Sequence, residues 1–136
     1  MRLDLKAIRA LVVDVDGVLW RGKQPLPGVP AFFDFLRTRQ IKFVIATNNS
    51  ARPASDVTAR LRRMGVAIDD DHVLTSAEAS ALYLSRTAPD AKRVYIVGGE
   101  GLRNALTKAG YQIVEQDADA VVVGIDFTLT YENLRI

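Results

Sequence analysis

The chain has 136 residues, of which 49% are hydrophobic, 25% charged and 7% aromatic, a globular mixture that excludes disordered, collagen-like and low-complexity readings. The absence of Cys removes disulfides and thiolate metal sites and is compatible with a reducing cytoplasm. The net charge of +2 favours no partner, although residues 1–68 carry 12 basic and 5 acidic residues against 6 and 11 in residues 69–136.

The predicted elements alternate between strand and helix. Leu11–Val15 is a short β-branched run suited to a strand buried on both faces. The longest strongly apolar run, Ala10 to Val13, is interrupted by Asp14 and Asp16 and is too short for a membrane span or a signal-peptide core. Val29, Phe32, Phe33 and Leu36 fall at i, i+3, i+4 and i+7, one helical stripe, and Lys42–Ala46 gives the next strand. A helix is expected from about Pro53 to Met64, with Val57, Leu61 and Met64 inward, Arg60, Arg62 and Arg63 outward, and Gly65 as its stop. Without interleaved aromatics those arginines make no nucleic-acid platform. Val73–Leu74 is a third short strand, and Thr75-Ser76-Ala77-Glu78 reads as a capping box opening a helix through Arg86.

After Ala88-Pro89-Asp90 the alternation resumes. Arg93–Val97 is a strand; Leu102, Ala105, Leu106 and Ala109 mark a helix ending at Gly110; Tyr111–Val114 and Ala120–Gly124 are strands. Alternating elements of this kind imply parallel sheets covered by helices, an α/β fold. Thr130 reads as the N-cap of a helix too short to support itself, and Val121–Val123 is apolar on both faces and needs covering. The chain is therefore expected to be an N-terminal piece of a longer protein, or a domain completed by a partner.

The chemistry concentrates at the first strand end, Val13-Asp14-Val15-Asp16-Gly17. Two carboxylates two residues apart on an extended chain project to one side, and a bound cation would relieve their repulsion. Oxygen donors select a hard ion, hence Mg²⁺. Gly17 lets the chain turn away and leaves room above the pair. Alone, such a pair could merely cap a turn. A second segment, Thr47-Asn48-Asn49-Ser50, closes the next strand 33 residues after Asp14, the length of one βαβ crossover of about 30 residues. The two strand ends should be neighbours, with a hydroxyl, amides and backbone N–H groups set beside the acidic pair to hold a phosphate.

Asp14-Val15-Asp16-Gly17-Val18-Leu19-Trp20-Arg21-Gly22, then Pro27-Gly28 and Thr47-Asn48-Asn49-Ser50, resembles the haloacid dehalogenase (HAD) superfamily, and most closely its subfamily IIA phosphatases with a large α/β cap. Val121–Asp126 with Leu129-Thr130-Tyr131 is similar to the early part of that cap. The resemblance implies a Rossmann-like core, a parallel sheet flanked by helices, in residues 1–80, and the beginning of the cap in 81–136. It implies hydrolysis of a small phosphorylated metabolite in the cytoplasm, with no nucleic acid or membrane partner and a homodimer formed through the cap. Asp14 would be the nucleophile that becomes an aspartyl-phosphate, and Asp16 the acid and then the base. Asp14, Asp16 and a backbone carbonyl at Val15 or Asp16 would hold Mg²⁺; Gly17, Thr47, Asn48 and Asn49 would bind the phosphoryl group.

Two parts of the family pattern are missing: a later Lys that steadies the phosphoryl charge and a later acidic pair. Asp126, Asp69-Asp70-Asp71, Lys92 and Lys108 do not fit those places, so the chain alone is expected to turn over weakly or not at all. A phospho-acceptor or other non-catalytic Mg²⁺ module is the alternative that also uses a strand-end Asp, but it leaves Thr47–Ser50 unexplained. A dinucleotide turn at Gly99-x-Gly101-x-x-Asn104 lacks its third Gly and reads better as a helix start. Trp20 is expected to pack under the neighbouring loop, and His72, the single His, to play an exposed structural role.

Overall fold

Buried and exposed residues alternate from Val13 to Asp16, with both valines inside and both carboxylates outside, so a pleated chain carries the acidic pair on one side. This segment ends strand β1 (Ala10–Asp14) in a computed structural model that describes residues 7–135. The chain folds as two compact units, Met1–Thr47 with Val57–Leu74, and Asn48–Asp56 with Thr75–Ile136.

In the first unit the order after β1 is a hairpin, β2 (Trp20–Arg21) and β3 (Gln24–Pro25), then α1 (Val29–Thr38) and β4 (Lys42–Thr47). Helix α2 (Ala54–Arg63) follows, in this unit from Val57 on, then a 3-10 turn at Asp70–His72 and β5 (Val73–Thr75), in this unit up to Leu74. The main sheet has the order β1–β4–β5, with β1 and β4 parallel. Helix α1 buries Val29, Phe33 and Leu36, the last two completely, and Phe33 meets the Phe43 ring of β4 with centroids 5.1 Å apart. Phe32, expected on the same stripe, is 37% exposed: it lies about 100° around the helix from Phe33.

Leu61 of α2 is fully buried, and the helix stops where the Gly65 N–H reaches the Arg62 carbonyl and the Val66 N–H reaches the Leu61 carbonyl. This 6→1 and 5→2 pair requires a left-handed residue, which Gly65 supplies at φ 87°. Strand β1 departs from expectation: Val12 is 74% exposed, because β1 is the outer strand of the sheet among the described residues and is covered on one face only.

The second unit holds α3 (Ser76–Thr87), β6 (Arg93–Val97), α4 (Glu100–Lys108), β7 (Gln112–Ile113), β8 (Ala120–Val123) and α5 (Tyr131–Arg135). The sheet order is β7–β6–β8, all parallel. Ala77 and Ala81 of α3, Val94 of β6 and Leu102, Ala105 and Leu106 of α4 form its core. The predicted capping box is present: the Glu78 N–H donates to Thr75 Oγ1, and the Thr75 N–H donates to Glu78 Oε2. On β8, Val122 packs inward while Val121 and Val123 are 64% and 68% exposed. No helix among the described residues is long and apolar enough to cross a membrane.

Candidate active site

Parallel pairing of β1 with β4 sets Asp14 opposite Ala46, so Thr47, the last residue of β4, lies one step past the residue that faces Asp14. Paired strands run about 4.8 Å apart, and the 33-residue spacing thus closes as the crossover length requires. Asp14 and Asp16 are exposed, whereas Thr47 is buried. Beyond Asp14 the chain bends, turns through Gly17 at φ 84° and comes back as β2. An L side chain is strained at that angle, which explains the glycine.

The turn is closed by backbone bonds. The Gly17 N–H donates to the Trp20 carbonyl (2.7 Å), and the Val15 carbonyl accepts from the N–H groups of Leu19 (2.9 Å), Val18 (3.3 Å) and Trp20 (3.4 Å). A carbonyl oxygen has two lone pairs, and three converging donors occupy them. The Val15 carbonyl, one of the two backbone oxygens expected at a metal, thus faces into the turn.

Asp16 is held by a residue that sequence reasoning treated only as packing. The Trp20 indole Nε1–H donates to Asp16 Oδ1 at 3.1 Å, and Trp20 itself is 5% exposed. The Arg60 guanidinium carbon lies 4.1 Å from the Trp20 ring centroid, and its Nη2 donates to the Gly22 carbonyl at 2.7 Å. Arg62 and Arg63 are exposed as expected, but Arg60 is half-buried on the indole. The i, i+4 separation of Asp16 and Trp20 across a Gly turn was the available signal for the first contact; no local pattern announces the second.

Asn48, Asn49 and Ser50 belong to the second unit and have tasks there. The Asn48 carbonyl accepts from Ser76 Oγ, and Asn49 Oδ1 accepts from the Ala51 N–H at 2.9 Å, an Asx turn. Ser50 is buried, and its Oγ accepts from the Ile125 N–H at 2.8 Å. Asn49 and Ser50 thus shape the loop.

The other acidic candidates are engaged locally. Asp126 Oδ1 accepts from the N–H and the hydroxyl of Thr128, which lowers its pKa, the backbone bond contributing most. Asp69 pairs with Arg62, and Asp70 Oδ1 accepts from the Thr58 hydroxyl. Among the described residues no three His, Cys, Asp or Glu side chains cluster as a metal cage. The donors at the strand end are nonetheless all oxygens, and Mg²⁺ commonly binds through one or two carboxylates completed by water and substrate phosphate, so Asp14 and Asp16 fit that ion.

A parallel sheet with a carboxylate and a hydroxyl on adjacent strand tips defines a class of site that receives small ligands at the carboxyl ends of strands. Residues 11–112 match the family model described as haloacid dehalogenase-like hydrolase, and the chain belongs to that family. It is 40% identical over 133 residues to an acid sugar phosphatase of Staphylococcus epidermidis, a match covering 97% of the chain and 51% of the relative. The crystal structure of a 4-nitrophenylphosphatase from Thermotoga maritima superposes with a TM-score of 0.87 at 35% identity, covering 96% of this chain and 49% of that one. A glycerol phosphate phosphatase from Mycobacterium tuberculosis, solved in complex with magnesium, gives 0.81 at 32% identity over 93% and 39% of the two chains. The chain spans about half the length of the curated relatives it matches.

Proposed function

We propose that this chain carries the nucleophile end of a Mg²⁺-dependent phosphomonoesterase of the subfamily IIA type, acting on a small phosphorylated metabolite. The observation that carries the reading is the β1–β4 register, which sets Asp14 and Thr47 on neighbouring strand tips. The phosphatase names of the relatives and the magnesium complex of one of them support it. In the same reading residues 1–80 are core, 81–136 begin a cap that also pairs two copies, and the protein works in the cytoplasm.

An Asp14 carboxylate oxygen forms the bond to phosphorus as the bond to the leaving oxygen breaks. Asp16, initially protonated, gives its proton to that oxygen so that a neutral alcohol departs. Now a carboxylate, Asp16 takes a proton from the water that attacks the aspartyl-phosphate; inorganic phosphate leaves and Asp14 is restored. The Thr47 hydroxyl and Asn48, next in the chain, hold the phosphoryl oxygens. Mg²⁺, held by the Asp14 carboxylate and the Asp16 backbone carbonyl, would supply charge neutralisation at the phosphoryl group.

The test is turnover of 4-nitrophenyl phosphate by the intact protein with Mg²⁺. Asp14→Asn is expected to lower kcat about a thousandfold or more, and EDTA to abolish activity that added Mg²⁺ restores. Undiminished turnover by Asp14→Asn would refute the nucleophile. Phosphate that stays on Asp14 for long periods would instead favour the phospho-acceptor module.

A further inference from the structure

We infer that Trp20, braced by Arg60, is the positioning residue for the Asp16 carboxylate, fixing Oδ1 so that Oδ2 is the oxygen that carries the travelling proton. The inference rests on the reading of Asp16 as acid and base, and it adds to that reading two residues that touch no reacting atom. Asp16 is exposed just past a strand end, where a carboxylate with only solvent for company samples several rotamers. A single directional bond removes that freedom, and the indole N–H supplies one at 3.1 Å. Packing alone needs no nitrogen, yet the one polar atom of this buried ring is aimed at an exposed carboxylate.

The donor is itself held from several directions. Backbone bonds tie Trp20 to Gly17 and Val15 across the turn, and pairing with Pro25 keeps β2 in its hairpin. On the ring face the Arg60 guanidinium stacks at 4.1 Å while its other arm grips the Gly22 carbonyl, so one side chain of α2 fixes both the ring and the hairpin turn. Rotation of the indole away from Asp16 would have to break this stack, and a carboxylate so anchored presents one defined oxygen to the leaving group.

Loss of proton donation has a signature that loss of packing lacks: it matters more as the leaving group becomes more basic. The experiment compares kcat/KM of the intact protein on 4-nitrophenyl phosphate, phenyl phosphate and an aliphatic monoester. Trp20→Phe keeps a ring under Arg60 and deletes the N–H. It is expected to cost about twofold on 4-nitrophenyl phosphate and about tenfold on the aliphatic ester, with the phenyl ester between. Arg60→Met, outside the buried ring, should shift the series in the same direction by a smaller factor. Asp16→Asn sets the reference and should give the steepest dependence. An equal loss on all three esters, or none, with Trp20→Phe overturns the positioning role while Asp16 keeps its own. A flat series for Asp16→Asn refutes the underlying acid assignment instead. Should Trp20→Phe fold poorly, replacing Trp20 with its benzothiophene isostere removes the N–H at constant shape and is read by the same criteria.

Discussion

Gly101→Ala tests which job the Gly98–Gly101 loop performs. Gly101 lies in the first turn of α4, where Ala would ordinarily gain about 1 kcal/mol from helix propensity. Here the added methyl would sit 2.6 Å from the carbonyl carbon and oxygen of Arg52 and from the Ser50 carbonyl oxygen, about 0.8 Å inside ordinary contact. The three atoms are backbone, and the Gly101 N–H also donates to the Ala51 carbonyl at 3.0 Å, so the segment cannot step aside cheaply. Overpacking costs about 1–3 kcal/mol, and against three backbone atoms the upper half, about 2–3 kcal/mol, applies; net of the propensity gain of about 1 kcal/mol, the variant should be less stable by about 1–2 kcal/mol. Urea unfolding followed by far-ultraviolet circular dichroism reads the difference. Asn104→Ala, exposed on the same helix, is the control and should gain about 0.5 kcal/mol. Were the loop a cradle for a dinucleotide, Gly101→Ala would be neutral or stabilising and NAD would raise the melting temperature. A neutral or stabilised variant refutes the close backbone approach, and stabilisation by NAD refutes the reading of the loop as a plain helix start.

Removing the Thr75 hydroxyl takes away one side of the α3 capping box, and Thr75→Ala should cost about 1 kcal/mol in the urea midpoint while Thr75→Ser keeps most of it. Asp119 accepts from the N–H groups of Lys92 and Arg93 and from the Arg93 side chain, bonds that hold its pKa at about 2, below the ordinary carboxylate value. Its contribution is therefore complete above about pH 4 and is lost as the pH falls to about 2. Asp119→Ala should be less stable than the parent above that window, with the gap narrowing through it; a gap constant from pH 5 to pH 2 would refute the assignment.

Local periodicity made most of the elements legible. The Val29, Phe33 and Leu36 stripe, the Thr75–Glu78 box and the β-branched run of Arg93–Val97 each state their conformation within a dozen residues, and the structure repeats them. The placement of Asp14 beside the end of β4 was legible for a different reason, since a crossover of fixed length leaves parallel strands little choice of register. The β2–β3 hairpin gave no such signal. Two-residue strands carry no alternation, and Pro25 argues against a strand on propensity alone.

The same distinction decides which parts of the candidate site could be read. Asp14, Asp16 and Thr47 stand at element ends, so their positions follow from the elements. The tasks of Ser50 and Arg60 follow from contacts 75 and 38 residues away along the chain, with Ile125 and Gly22, which no window can contain. Ser50 closes the Thr47–Ser50 segment, whose hydroxyls and amides suit a phosphate cradle. The fold uses it to tie the backbone of Ile125 beside Gly124, where even a Cβ would come within 2.5 Å of Ser50 Oγ. A polar loop residue is thus assigned by which partner reaches it first. At Asp16 that partner is the indole of Trp20, which binds one of the two carboxylate oxygens.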